Sequence, residues 1–292
     1  MSVEGGVEYS SEREVIAESR EEHSKLEAKK MNNLRMYGDP PFKVIVAHGG
    51  PGAAGGVAPL ARELGKKRGV LEPYQTKKTV SGQIEELRET VEKYCSPPVI
   101  LLGHSWGAWL VFLFAAKYSD LVNRIILISS GPFEQHYASG IMNARLNRLG
   151  AEEKTRVEEL MSLLSNAELK DREMLSEFRK LMAMTDHFDL LEDAERVEVN
   201  IDAEIYKSVW TEASEMRSSG ELLESGKKIR CPVLAVHGDF DPHPAEGVEI
   251  PLSRILKDFK FRLLERCGHM PWMERHAREE FYKIVEAELE EG

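Results

Sequence analysis

The stretch that most constrains this chain is Gly103-His104-Ser105-Trp106-Gly107, taken with its two flanks. Behind Pro97-Pro98 runs Val99-Ile100-Leu101-Leu102, short, apolar and partly β-branched, as a buried strand would be. Ahead, Ala108 to Ala116 is apolar at every position, which suits a buried helix. A chain that leaves a strand and enters a helix this abruptly needs small residues on both sides of the turn, because a Cβ there would meet neighbouring backbone. Such a turn pins its serine at the carboxyl end of the strand and at the positive end of the helix. Ser105 is therefore a candidate nucleophile.

A second strand pattern, Lys43 to Ala47, ends in His48-Gly49-Gly50-Pro51-Gly52. Glycines there leave backbone N–H groups uncovered. No Gly-Lys-Ser/Thr follows, so a phosphate-binding P-loop is not indicated. An oxyanion hole fits better, made from the N–H of Gly50 and that of Trp106, the residue after the serine.

Further strand patterns at Gly69–Leu71, Arg124–Ser130, Pro232–His237 and Phe259–Leu264 alternate with helical ones at 58–67 and 81–94. This rhythm predicts an α/β fold, a mostly parallel sheet covered by helices on both faces. It stops between about Phe133 and Gly226, where the patterns are helical, among them Glu152–Leu164 and Asp171–Met184. An all-helical insertion at this point reads as a cap, or lid, over the carboxyl edge of the sheet. The expected organisation is a polar N-terminal helix and lead-in over 1–42, a core over 43–132 and 227–292, and a cap over 133–226. A last helix is expected from Glu274 to about Glu290. The polar segment Ser10–Lys30 reads as a solvated helix, or as a contact between two copies in a homodimer.

A serine hydroxyl needs a base, and the base needs an acid to fix its tautomer. Of nine histidines, His269 follows the last strand and completes the chain order Ser…Asp…His. His243 is its serious rival. His48 and His104 sit beside glycines and read as loop-holding residues, while His237 shares its segment with the acid. His23, His136, His187 and His276 fall in helical or surface contexts. For the acid, Asp239 and Asp241 both follow Gly238, and spacing does not separate them.

The elbow, the His48–Gly52 loop, Gly238-Asp239-Phe240-Asp241 and Gly268-His269 together resemble the α/β-hydrolase family. His-Gly-Gly-Pro-Gly and Gly-His-Ser-Trp-Gly are similar to its proline iminopeptidase branch. The resemblance implies an α/β-hydrolase fold and, through a Gly-x-x-Asp turn, places the acid at Asp241. It covers roughly 43–130 and 228–290. Two features depart from the branch. A long N-terminal β-hairpin is replaced here by polar sequence, and the cap has no Glu-Asn-His-Tyr-Phe type segment to hold a substrate amine. Trp210 and Glu212, in Val209-Trp210-Thr211-Glu212, are the nearest substitute.

Composition narrows the partners. Lys+Arg of 39 against Asp+Glu of 50 gives a net charge of −11 over 292 residues, which argues against nucleic acid or an anionic membrane. No apolar run approaches the ~18 residues of a membrane span. Cys95, Cys231 and Cys267 form neither a metal pattern nor a disulfide framework, so no metal or cofactor is expected and the setting is read as cytoplasmic. The leading expectation is a serine hydrolase acting on a small ester, with an aminopeptidase acting on an amide or short peptide as runner-up. A ligand-binding protein on a hydrolase fold is the alternative of another class. Epoxide or haloalkane hydrolysis would need Asp where Ser105 stands.

Overall fold

The apolar runs lie side by side at the centre of the molecule. In the computed structural model, which describes residues 29–31, 33–166, 172–192 and 199–290, they form one sheet of eight strands. These are β1 (Lys29–Met31), β2 (Leu34–Tyr37), β3 (Phe42–Ala47), β5 (Gly69–Pro73), β6 (Val99–His104), β7 (Val122–Ile128), β9 (Val233–Gly238) and β10 (Phe259–Leu264). A second, two-stranded sheet pairs β4 (Ala53–Ala54) with β8 (Asn200–Ile201). The order in the large sheet is β1-β2-β5-β3-β6-β7-β9-β10. β1 and β2 pair antiparallel and β2 joins β5 antiparallel; the remaining pairs are parallel.

Alternation along the strands divides the core in two. Ile45, Ala47, Leu101, Ile125, Leu127, Val233 and Ala235 point to one face. Val44, Val46, Ile100, Leu102, Ile126, Ile128, Leu234 and Val236 point to the other. Both faces are apolar because both are covered by helices. Each such side chain taken fully from water is worth about 1.5–3 kcal/mol. The helix Trp106–Lys117 is buried almost all round, since it packs on β6 and β7 and is covered by the helices Val80–Tyr94 and Glu221–Ser225.

The region between β7 and β9 is mainly helical, with helices at Ala151–Asn166, Arg172–Thr185 and Ala203–Ser219. Backbone hydrogen bonds tie it to the core at the glycine loop and at the His269 loop. Ala53 and Ala54 of the glycine loop pair with Ile201 and Asn200, and Asp202 N–H donates to Gly52 O at 3.1 Å. At the His269 loop, His269 N–H donates to Asp186 O at 2.6 Å and Arg275 N–H to Asp189 O at 2.8 Å.

Three elements differ from expectation. Within the expected polar helix and lead-in, Lys29–Met31 and Leu34–Tyr37 pair as the β1 and β2 strands on the sheet's edge. Their alternation is hidden because Lys29, Lys30 and Arg35 interrupt the apolar positions. The expected all-helical insertion contains β8, two residues long and stabilised by the loop it meets. A helix at Glu246–Ile255, with Pro251 inside it, has no counterpart in the sequence reading. The polar segment Ser10–Lys30 lies, apart from its last two residues, outside the described residues. Among the described residues no helix is long and apolar enough to cross a membrane.

Candidate active site

The elbow forms where β6 gives way to the helix Trp106–Lys117. Ser105 has φ 54° and ψ −116°, a backbone state that a non-glycine residue holds only when its surroundings impose it. The surroundings are tight. A Cβ on Gly103 would overlap the Gly107 carbonyl, and one on Gly107 would overlap the Ala47 carbonyl oxygen. Ser105 N–H donates to Ile128 O at 3.0 Å and Ser105 O accepts from Ala108 N–H at 3.0 Å. The serine is thus fixed from both sides and remains partly exposed.

The glycine loop passes directly against it. A Cβ on Gly49 would stand 3.0 Å from the Ser105 Cβ and 2.9 Å from His104 Nδ1. Gly50, at φ 64°, adopts a left-handed conformation that favours glycine, and its carbonyl turns to Ala53 N–H at 2.9 Å. Trp106 is the first residue of its helix, so its N–H has no acceptor within that helix. His48 is fully buried and holds the loop: its Nε2 accepts from Gln75 N–H, and Gln75 Nε2 donates to His48 O at 2.9 Å. Burial pushes the His48 imidazole down to about 4, so it stays neutral.

His269 stands on the loop after β10. Its Nδ1–H donates to Asp241 Oδ2 at 2.7 Å, with the carboxylate completely buried. Its carbonyl accepts from His104 Nε2–H at 2.9 Å, and the two rings lie 4.7 Å apart. The residue preceding Ser105 therefore clamps the loop of the candidate base. Burial disfavours the charged His269 ring, but the Asp241 charge and hydrogen bond outweigh it and raise the pKa above the usual histidine value. Burial also works against the Asp241 carboxylate. His269, His243 and His237 together nevertheless hold it well below the usual carboxylate range.

The two aspartates after Gly238 do different things. Asp239 Oδ1 accepts Cys267 N–H at 3.1 Å and ties the two loops together. Asp241 Oδ1 accepts both the His243 N–H, at 2.9 Å, and the His243 Nδ1–H, at 2.8 Å. The rival histidine thus shares the acid with His269.

Sequence reasoning missed Glu274. Its buried carboxylate accepts N–H bonds from Gly268 at 3.1 Å, Phe188 at 3.1 Å and Asp189 at 2.8 Å. It links the His269 loop to the region between β7 and β9. Burial opposes its ionisation, but His187 and these amides lower its pKa. A glutamate five residues after a histidine gives no sequence signal of this kind.

Trp210 and Glu212 have partners on the core helices Trp106–Lys117 and Val80–Tyr94. Glu212 Oε2 accepts Val80 N–H at 2.7 Å and so caps the helix Val80–Tyr94. The Trp210 ring stacks on Trp109, with centroids 5.7 Å apart and an interplanar angle of 2°.

Asp241, His243 and His269 offer donor atoms within 4.8 Å of one another, a spacing a cation could exploit. Both Nδ1–H groups donate to the carboxylate, which leaves Nε2 as the ring atom each histidine has to offer. The cysteines are poor nucleophiles, because burial pushes the Cys95 thiol up to about 12 and the Cys231 thiol up to about 11.

The sequence matches the Alpha/beta hydrolase family over residues 44–284. It is 26% identical over 269 residues to a proline iminopeptidase of Heyndrickxia coagulans, covering 83% of this chain and 88% of that protein. The solved structure of VinJ superposes with a TM-score of 0.64 at 16% identity, covering 91% of this chain and 98% of the other. The proline iminopeptidase of Mycobacterium smegmatis gives 0.58 at 15% identity, covering 91% and 97%. A thermophilic esterase from Thermogutta terrifontis gives 0.58 at 18% identity, covering 90% and 96%. These structures share the fold with this chain. With its fold, its elbow and a family match over most of its length, the chain belongs to the alpha/beta hydrolase family.

Proposed function

We propose that this protein is a serine hydrolase that cleaves a small carboxylic ester through an acyl-enzyme, with Ser105 as nucleophile, His269 as base and Asp241 as acid. The observation that carries the reading is the buried 2.7 Å bond between Asp241 and His269 Nδ1, on a loop clamped to the strained Ser105 elbow. A carboxylate only accepts, so Nδ1 keeps its proton and Nε2 is left as the free base. Nε2 takes the Ser105 hydroxyl proton as Oγ bonds to the acyl carbon, and Asp241 stabilises the imidazolium that forms. The negative carbonyl oxygen is met by the N–H groups of Gly50 and Trp106. The imidazolium then protonates the leaving alkoxide, and the acyl-enzyme remains. Water repeats the sequence, giving up its proton to Nε2 and releasing the acid. The chemistry asks for no cofactor.

The region 133–226 acts in this reading as the cap that closes over the substrate. A cytoplasmic setting suits three unpaired cysteines. An aminopeptidase acting on an amide or short peptide is the second reading, favoured by the Heyndrickxia coagulans relative. It needs a carboxylate for the protonated amine, and the candidate for it, Glu212, accepts Val80 N–H through Oε2. The test is turnover of short-chain p-nitrophenyl esters beside proline-p-nitroanilide. Ester hydrolysis with little anilide cleavage supports the proposal. Preferential cleavage of the anilide replaces it with the second reading.

A further inference from the structure

His243 is held by hydrogen bonds at its N–H, its Nδ1–H and its carbonyl. Its N–H and its Nδ1–H both donate to Asp241 Oδ1, at 2.9 and 2.8 Å, and its carbonyl accepts His237 Nε2–H at 2.9 Å. Its ring lies 4.7 Å from that of His269, tilted by 29°. One carboxylate therefore serves two nearly stacked imidazoles, each through Nδ1. The two roles differ, because only His269 is tied to the elbow, through His104.

A carboxylate with one bonded oxygen can turn about its last torsion, and its other oxygen, buried here, would be costly to leave without donors. Two donors on Oδ1 stop that rotation and hold Oδ2 on His269. A neutral ring supplies the Nδ1–H without adding charge beside the His269 imidazolium that forms during turnover. Burial favours that neutral state and lowers the His243 pKa, although Asp241 works against it. We propose that His243 is a positioning residue for the hydrolytic reaction: its Nδ1–H fixes Asp241 so that the carboxylate keeps His269 in the tautomer able to accept the Ser105 proton.

The inference rests on the assignment of Ser105, His269 and Asp241, and its test separates the two. His243→Asn places an amide N–H close to the position of Nδ1, whereas His243→Gln carries its amide out to the position of Nε2. With p-nitrophenyl acetate, His243→Gln is expected to lower kcat about 10- to 100-fold with KM within about twofold, since one buried donor is lost. His243→Asn is expected to stay within about threefold of the unsubstituted enzyme. Equal activity in the two variants, at any level, overturns the proposal. Nitrogen-15 NMR of the unsubstituted protein at about pH 8 reads the tautomer directly and needs no variant. Nδ1-protonated His243 is expected, and an Nε2-protonated ring overturns it. If Ser105→Ala and His269→Ala retain turnover, the catalytic assignment itself has failed. If they abolish turnover while Asn and Gln behave alike, only the role of His243 has failed.

Discussion

Replacing Asp241 by Asn should be far more damaging than replacing Asp239 by Asn, and the hydrogen bonds around the two residues say why. An Asn at 241 has one oxygen and one NH2 to divide between two sites. The Oδ1 site faces the His243 N–H and Nδ1–H, at 2.9 and 2.8 Å, and the first of these, a backbone group, cannot reverse its polarity. The amide oxygen is therefore drawn to that site, which aims the NH2 at His269 Nδ1, now 2.7 Å away. Two donors cannot face each other at that distance, so His269 must move its proton to Nε2, where it can no longer accept from Ser105. In the serine protease worked out in greatest detail, this tautomer error costs about 10⁴ in kcat, equivalent to ~5.4 kcal/mol of barrier. A loss of that order is expected here. At Asp239 an Asn oxygen can still accept Cys267 N–H, now 3.1 Å away, so a loss below about threefold is expected. The assay is kcat/KM on p-nitrophenyl acetate at about pH 8, with far-UV circular dichroism to show that both variants fold. More than a tenth of normal activity in folded Asp241→Asn, or an equal loss in Asp239→Asn, refutes the reasoning.

Activity should fall on the acid side as His269 becomes protonated. Its pKa lies above the usual ~6.5, so the limb of kcat/KM should be centred above that value; a flat profile from about pH 5 to 8 removes the histidine base. Gly107→Ala drives a Cβ into the Ala47 carbonyl and should cost about 3 kcal/mol or more in urea unfolding; a loss under about 1 kcal/mol contradicts the tight elbow. Glu274→Gln should cost about 2 kcal/mol at pH 7, because three N–H bonds lose a charged acceptor. The lowered Glu274 pKa makes that contribution complete above about pH 4.5 and lost as the pH falls through the folded value, so the two proteins should converge in acid. Glu212→Gln should leave ester hydrolysis within about twofold, and selective loss of anilide cleavage would show that Glu212 holds a substrate amine.

Much of this was legible because the signals were local. A strand running into Gly-x-Ser-x-Gly, a strand running into His-Gly-Gly-Pro-Gly, and a histidine after the last strand each follow from a few adjacent residues. The segments that escaped notice depend on distant partners. β8 is two residues long and exists through its pairing with Ala53 and Ala54. Pro251 disguises the helix Glu246–Ile255 as a loop, yet the helix buries Val248 and Leu252. The pattern of the edge strands Lys29–Met31 and Leu34–Tyr37 is broken up by basic residues. The site was legible in the same uneven way. Chain order singled out His269, but that His243 would share its carboxylate, and that Glu274 would gather three amides, depended on loops brought together only by folding.

The measurement closest to the central claim is reaction with a fluorophosphonate at about pH 8, followed by intact mass and peptide mapping. One adduct per chain, on Ser105, is expected, abolished in Ser105→Ala and strongly slowed in His269→Ala. A folded protein that takes up no label, or takes it up on another residue, would contradict the serine hydrolase account and leave a hydrolase fold put to another use.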